Sequence, residues 1–122
     1  MLIPNQLLKT LTMTKQLNQS LQTSKQYNLS LGETEYQVTL DFGKYRGNNR
    51  TAITVVDAYD GEDLLVATVN LPDEPLLENY TIIKDYSENE GVLAFLVENG
   101  IVSAPVRNIS TGFTHCQVVK VL

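Results

Sequence analysis

Tryptophan is missing from this 122-residue chain, and cysteine and histidine occur once each. A single cysteine excludes an internal disulfide framework and fits a reducing compartment. One Cys and one His fall short of the four ligands of a structural zinc site. The two are also adjacent, as His115 and Cys116. Consecutive side chains on a strand point to opposite faces, so this pair is not a nucleophile with its base. Cys116 is then either a lone reactive thiol or a small apolar residue of a terminal strand, and the second is the commoner fate of a free cysteine. No apolar run is long enough to cross a bilayer. The opening residues, Met1-Leu2-Ile3-Pro4-Asn5, lack the charged and apolar regions of a secretory signal. These absences predict a cytoplasmic protein.

Positive charge is also scarce. Residues 1–33 carry a net charge of +2, and residues 34–122 a net of −7. Between Asp57 and Glu90, ten acids face Lys84 alone, a net of −9. Such a field repels nucleic acid and favours a protein partner with a basic surface. The candidate partner-binding residues are Asp60, Glu62, Asp63, Asp73, Glu74, Glu78, Asp85, Tyr86, Glu88 and Glu90. Tyr45, Tyr59, Tyr80 and Tyr86 lie near charged loops, where an amphipathic ring suits a contact surface. The plainer account of the acids is solubility. A calcium loop fails on spacing: with Gly61 as its glycine, the first and third ligand positions would be Val56 and Ala58. A glycosidase pair needs carboxylates on two walls of a cleft, which acids clustered on turns do not offer. The expectation is a non-enzymatic protein with no catalytic residue, no metal and no cofactor.

What is present is a globular pattern of one-domain size. Residues 1–25 hold two poorly aligned leucine stripes, a marginal helix or arm, ahead of a single domain at 26–122. Tyr27, Leu29 and Leu31, then Tyr36, Val38, Leu40 and Phe42, alternate with polar residues around a Gly32-Glu33 break. That is a β-hairpin with one wet face. Residues 43–50 form a turn-rich loop with Lys44, Arg46 and Arg50. It lacks the Gly-Lys-Ser/Thr ending of a phosphate-binding loop, so it is either a small phosphate contact or a solvated connection, the plainer choice. Residues 51–58 and 64–71 are β-rich runs joined at Asp60-Gly61, a hairpin signal. Residues 80–84 predict a short strand. Ser87 and Glu90 have the spacing of a capping box, followed by Val92, Leu93, Phe95, Leu96 and Val97 and stopped at Gly100. This predicts one helix over about residues 87–99. Residues 101–106 read as a strand bent at Pro105, residues 110–112 as a turn, and residues 114–122 as a last strand. The fold class is therefore α+β: a mostly antiparallel sheet of five to seven strands with the helix packed on one face.

Three segments carry a resemblance. They are Gly43-Lys44-Tyr45 with residues 48–53, Asp60-Gly61-Glu62 through Leu71-Pro72, and Ile83-Lys84-Asp85-Tyr86-Ser87-Glu88-Asn89-Glu90-Gly91; Gly112-Phe113 also fits. Over residues 34–122 the chain resembles an uncharacterised small-domain family of bacterial mobile elements and phages. The resemblance implies a bacterial host cell and an accessory role, and transfers no catalytic residue. By analogy with such accessory proteins, it implies an anti-CRISPR-type inhibitor, in which an acidic nucleic-acid-mimic surface occupies a basic channel of a defence enzyme. Two other classes stand beside it. One is a structural or regulatory module that forms homo-oligomers through an open sheet edge. The other is a small enzyme with a carboxylate site, which would show shifted carboxylates in a concave pocket.

Overall fold

The computed structural model describes residues 25–112 and 114–122. The expected arm, apart from Lys25, lies outside the described residues. The elements in chain order are β1 (Tyr27–Leu31), β2 (Thr34–Lys44), β3 (Thr51–Asp57), β4 (Asp63–Val66), β5 (Tyr80–Lys84), α1 (Val92–Glu98), β6 (Arg107–Thr111) and β7 (Thr114–Lys120). A 3-10 turn at Ser87–Asn89 precedes α1. The fold is α+β, with two antiparallel sheets ordered β1-β2-β3-β4 and β5-β7-β6.

A shared seam joins the two sheets. After β4 the chain stays extended and bonds to both sides. The Ala67 N–H donates to the Ile53 carbonyl (2.8 Å), the Lys84 N–H to the Ala67 carbonyl (2.9 Å), and the Val69 N–H to the Ile82 carbonyl (3.0 Å). An antiparallel bridge pairs Thr68 with Ile83. The Thr68 hydroxyl, buried at the seam, accepts from the Ile53 N–H and bonds the Tyr45 hydroxyl. This is why β4 is shorter than its apolar run at 64–71 suggests: the rest of that run serves the seam.

Strand alternation decides the core. Val38 on β2, Ile53 and Val55 on β3, Leu65 on β4, Ile83 on β5 and Val119 on β7 are buried on one face, with Val92, Phe95 and Leu96 of α1 against them. The Tyr27 and Phe95 rings meet edge-to-face with centroids 6.0 Å apart. Ile82, Val118, Cys116 and Ile109 alternate to the other face of the smaller sheet and are buried there beneath Val69, Leu71 and Leu76.

The helix departs from expectation at its start. Ser87 sits at φ 58°, and its hydroxyl caps nothing. The Glu90 N–H bonds the Ser87 backbone carbonyl (3.1 Å), as in a turn. Glu90 is then extended and Gly91 left-handed (φ 97°), so the predicted helix over 87–99 is cut before Val92. Tertiary contacts override the capping spacing. Asn89 turns inward, 1% exposed, and donates to the Val66 carbonyl at 2.7 Å. The actual cap is Asp85, whose Oδ1 accepts from the N–H groups of Gly91 and Leu93, both at 3.0 Å. The helix does stop at Gly100 (φ 72°). The Ile101 N–H reaches the Leu96 carbonyl and the Gly100 N–H reaches the Val97 carbonyl, the paired bonds of a Schellman end.

A second correction concerns residues 101–106, which do not form a strand. Only Val102 bridges to Val121. Pro105 has no N–H to give a ladder, and the paired segment is β6, one step further on. The expected turn at 110–112 shifts accordingly, since Ser110 and Thr111 pair with His115 and Thr114.

Candidate functional site

The acids fall into three groups, placed by different elements. The first is the tip of the β3–β4 hairpin. Asp57 Oδ1 accepts from the Tyr59 N–H (2.8 Å) and Asp60 Oδ1 from the Glu62 N–H (2.9 Å), so two carboxylates shape the turn. The Gly61 N–H bonds the Asp57 carbonyl, with Gly61 left-handed at φ 78°. These bonds hold Tyr59 out in solvent at 96% exposure, beside exposed Asp60, Glu62 and Asp63.

The second group, Asp73, Glu74 and Glu78, lies beyond the seam. The extended run from Asp63 to Asn70 separates it from the tip by roughly 20 Å. Glu74 is committed: its Oε1 pairs with Arg107 (3.1 Å), and its carbonyl accepts from Arg50. Asp73 and Glu78 are exposed.

The third group follows β5. Asp85 is half-buried as the helix cap. Tyr86 is half-buried against the second core cluster, with the Lys84 ammonium 5.3 Å from its ring centre. Glu88 bonds Lys84 at 2.9 Å. That hydrogen bond lowers the Glu88 carboxyl pKa and raises that of the Lys84 ammonium. Both groups are solvent-accessible, so the pair is a weak surface bridge. Glu90 is exposed. Glu88 and Glu90 flank Asn89, whose bond to Val66 sets them beside β4 rather than beside the second group. The ten candidate residues thus sit on three separate elements.

Of the loop expected at residues 43–50, Gly43 and Lys44 end β2, paired with Ala52 and Thr51, and the remaining turn at 45–50 is a built structure and not a free connection. Arg50 donates to the Leu71 carbonyl (2.9 Å) and to that of Glu74, and the Asn48 amide donates to Asn70 Oδ1 (3.0 Å). Between this loop and residues 76–80 lies a groove of about 740 Å³, lined by Lys44, Asn48, Asn49, Arg50, Thr51, Leu76, Leu77, Glu78, Asn79 and Tyr80. The sequence signal was the three bases among turn residues. Nothing in the sequence marked which carbonyls Arg50 would meet.

His115 is exposed and Cys116 buried, on opposite faces of β7 as alternation requires. Burial pushes the Cys116 thiol pKa up. The native protein should therefore react with Ellman's reagent at least about a hundredfold more slowly than the unfolded chain. The reactive fraction should follow the urea unfolding curve. Rapid reaction in native buffer would show that the smaller sheet does not enclose this thiol.

Among the described residues, no three His, Cys, Asp or Glu side chains are grouped to hold a metal ion, and no helix is long and apolar enough to cross a membrane. Comparison with known protein families, with curated proteins and with solved structures finds no match.

Proposed function

We propose that this protein is a non-enzymatic binding factor that meets a basic protein partner with its β3–β4 hairpin tip. The observation that carries this is Tyr59, 96% exposed on a hydrogen-bonded turn and surrounded by Asp60, Glu62 and Asp63. An aromatic ring held out by a rigid turn gives up little conformational freedom on binding, and rings of this kind anchor many interfaces. The acids around it steer a basic surface toward the ring. Glu88 and Glu90 flank Asn89, which bonds the Val66 carbonyl at the other end of β4. Asp85, Tyr86 and Glu74 have structural partners of their own, which leaves them outside the central contact.

The partner class follows from the resemblance to mobile-element and phage accessory proteins: a nucleic-acid-binding defence enzyme such as a CRISPR effector, with the tip placed in its basic channel. The test is competition with target DNA for a purified effector loaded with its guide RNA. Wild type should compete, and should do so less well as salt rises. Tyr59→Ala, and joint reversal of Asp60, Glu62 and Asp63 to Lys, should each keep the melting temperature. Each should weaken competition about thirtyfold or more, the effect of losing an interface anchor. Reversal of Asp73 and Glu78, at the far end, should leave competition unchanged. Full competition by both tip variants would remove the tip from the interface.

A further inference from the structure

The groove between residues 44–51 and 76–80 shares no residue with the hairpin tip. The 45–50 turn is anchored by tertiary bonds, and the Thr81 hydroxyl, next to Tyr80, donates to the Thr51 carbonyl at 2.7 Å. Arg50 ties its loop to the Leu71 and Glu74 carbonyls, and Tyr45 ties the same loop to Thr68. A concavity held in this way is largely formed before any ligand arrives, which lowers the entropic cost of binding. Two of the three non-glycine residues with positive φ among the described residues line it, Asn49 at 59° and Asn79 at 71°. Backbone in the left-handed region collects at binding sites.

The electrostatics agree. The chain carries a net charge of −5, yet the groove sets Lys44 and Arg50 against Glu78 alone. Lys44 is exposed, and its bond to the Thr51 hydroxyl is long at 3.3 Å. Arg50 spends two guanidinium N–H groups on the carbonyls, out of the five that the side chain has. Both residues therefore keep donors for an oxyanion. Leu76 and Tyr80, half-buried against the second core cluster, line the same groove. The volume of about 740 Å³ lies in the range of small-molecule sites.

We propose that this groove binds a phosphate monoester of mononucleotide size, with its phosphate on Lys44 and Arg50 and its flat ring against Tyr80. Glu78 opposes the anion and limits affinity.

The full-length protein, labelled with nitrogen-15, is titrated by NMR with AMP, GMP, CMP and UMP, and separately with adenosine and inorganic phosphate. At least one nucleotide should give saturable shifts at the amides of residues 48–51 and 76–80. Adenosine and inorganic phosphate should each bind at least about tenfold more weakly than AMP, the loss expected when a charge-assisted bond or a ring contact is removed. Lys44→Ala should weaken nucleotide binding about tenfold without lowering the melting temperature, and Glu78→Gln should tighten it. Tyr59→Ala should bind nucleotide as wild type does, which separates this site from the hairpin tip. The proposal is overturned by the absence of saturable shifts up to about 10 mM of every nucleotide, by shifts elsewhere, or by binding indifferent to Lys44→Ala. Inorganic phosphate binding as tightly as AMP would overturn the ring contact and with it the ligand class.

Discussion

Leu96→Ala is expected to destabilise the protein by about 3 kcal/mol and to lower its melting temperature by about 10 °C. Leu96 is fully buried in the middle of a seven-residue helix. A helix that short has no stability in isolation, so α1 exists because its apolar face is packed. Val92, Phe95 and Leu96 supply that face, at spacings that put them over one stripe. Removing the Leu96 side chain loses its transfer free energy and leaves a cavity against β-strands that have little freedom to collapse. The Leu96 carbonyl also anchors the helix end through the Ile101 N–H, so any shift of α1 is passed to the 101–106 segment. Against a total stability of about 5–15 kcal/mol, this loss is large. The check is urea denaturation: the midpoint should fall while the slope stays constant. Leu93→Ala, at a half-buried position of the same helix, should cost less. Equal losses at the two positions would mean that the buried face of α1 is not the one described.

The strands were legible where one face is wet. In β1 and the first part of β2, buried and exposed side chains alternate through Leu29, Val38 and their polar neighbours, and the period shows in the sequence; beyond Leu40 the strand is exposed on both sides, Phe42 included at 52%. β5 and β7 were also plain, because runs of branched residues supply both buried faces. β6 was not: Arg107-Asn108-Ile109-Ser110-Thr111 has one apolar side chain, and its pairing with β7 places that side chain opposite Cys116. The apolar residues just before it, Ile101 and Val102, serve the main core without making a ladder.

The candidate site was legible as charge and not as place. Ten acids in one window look like one surface, but the extended run through β4 and the seam carries Asp73 and Glu78 away from the tip. The partners of Arg50 were hidden for another reason. They are main-chain carbonyls, which every residue has, so nothing at Leu71 or Glu74 advertises the contact. Tyr59 and Tyr86 looked alike in the sequence. The tip turn exposes the first, and the second core cluster covers the second.

Asp85→Ala is expected to cost about 1.5 kcal/mol, and Ser87→Ala close to nothing. Local spacing favours Ser87 as the cap, because Glu90 follows it by three residues. The structure instead has one Asp85 oxygen bonded to two N–H groups at the start of α1, those of Gly91 and Leu93. The intervening 3-10 turn brings Asp85 back over the helix end, a path with no standard sequence spacing. Alanine at 85 leaves both N–H groups without their partner, and the Leu93 N–H is partly buried, where a replacement water is harder to place. The carboxylate also faces the positive end of the helix, a favourable interaction that Asn would give up while keeping the acceptor. Asp85→Asn should therefore fall between wild type and Asp85→Ala. Ser87 has a left-handed backbone and no capping bond, so removing its hydroxyl deletes nothing the helix uses. Denaturant midpoints for the three variants give the order Ser87→Ala above Asp85→Asn above Asp85→Ala. A larger loss at Ser87 than at Asp85 would mean that the helix begins at the capping box, continuous through Gly91, and that the bond from Asn89 to Val66 does not hold the turn in place.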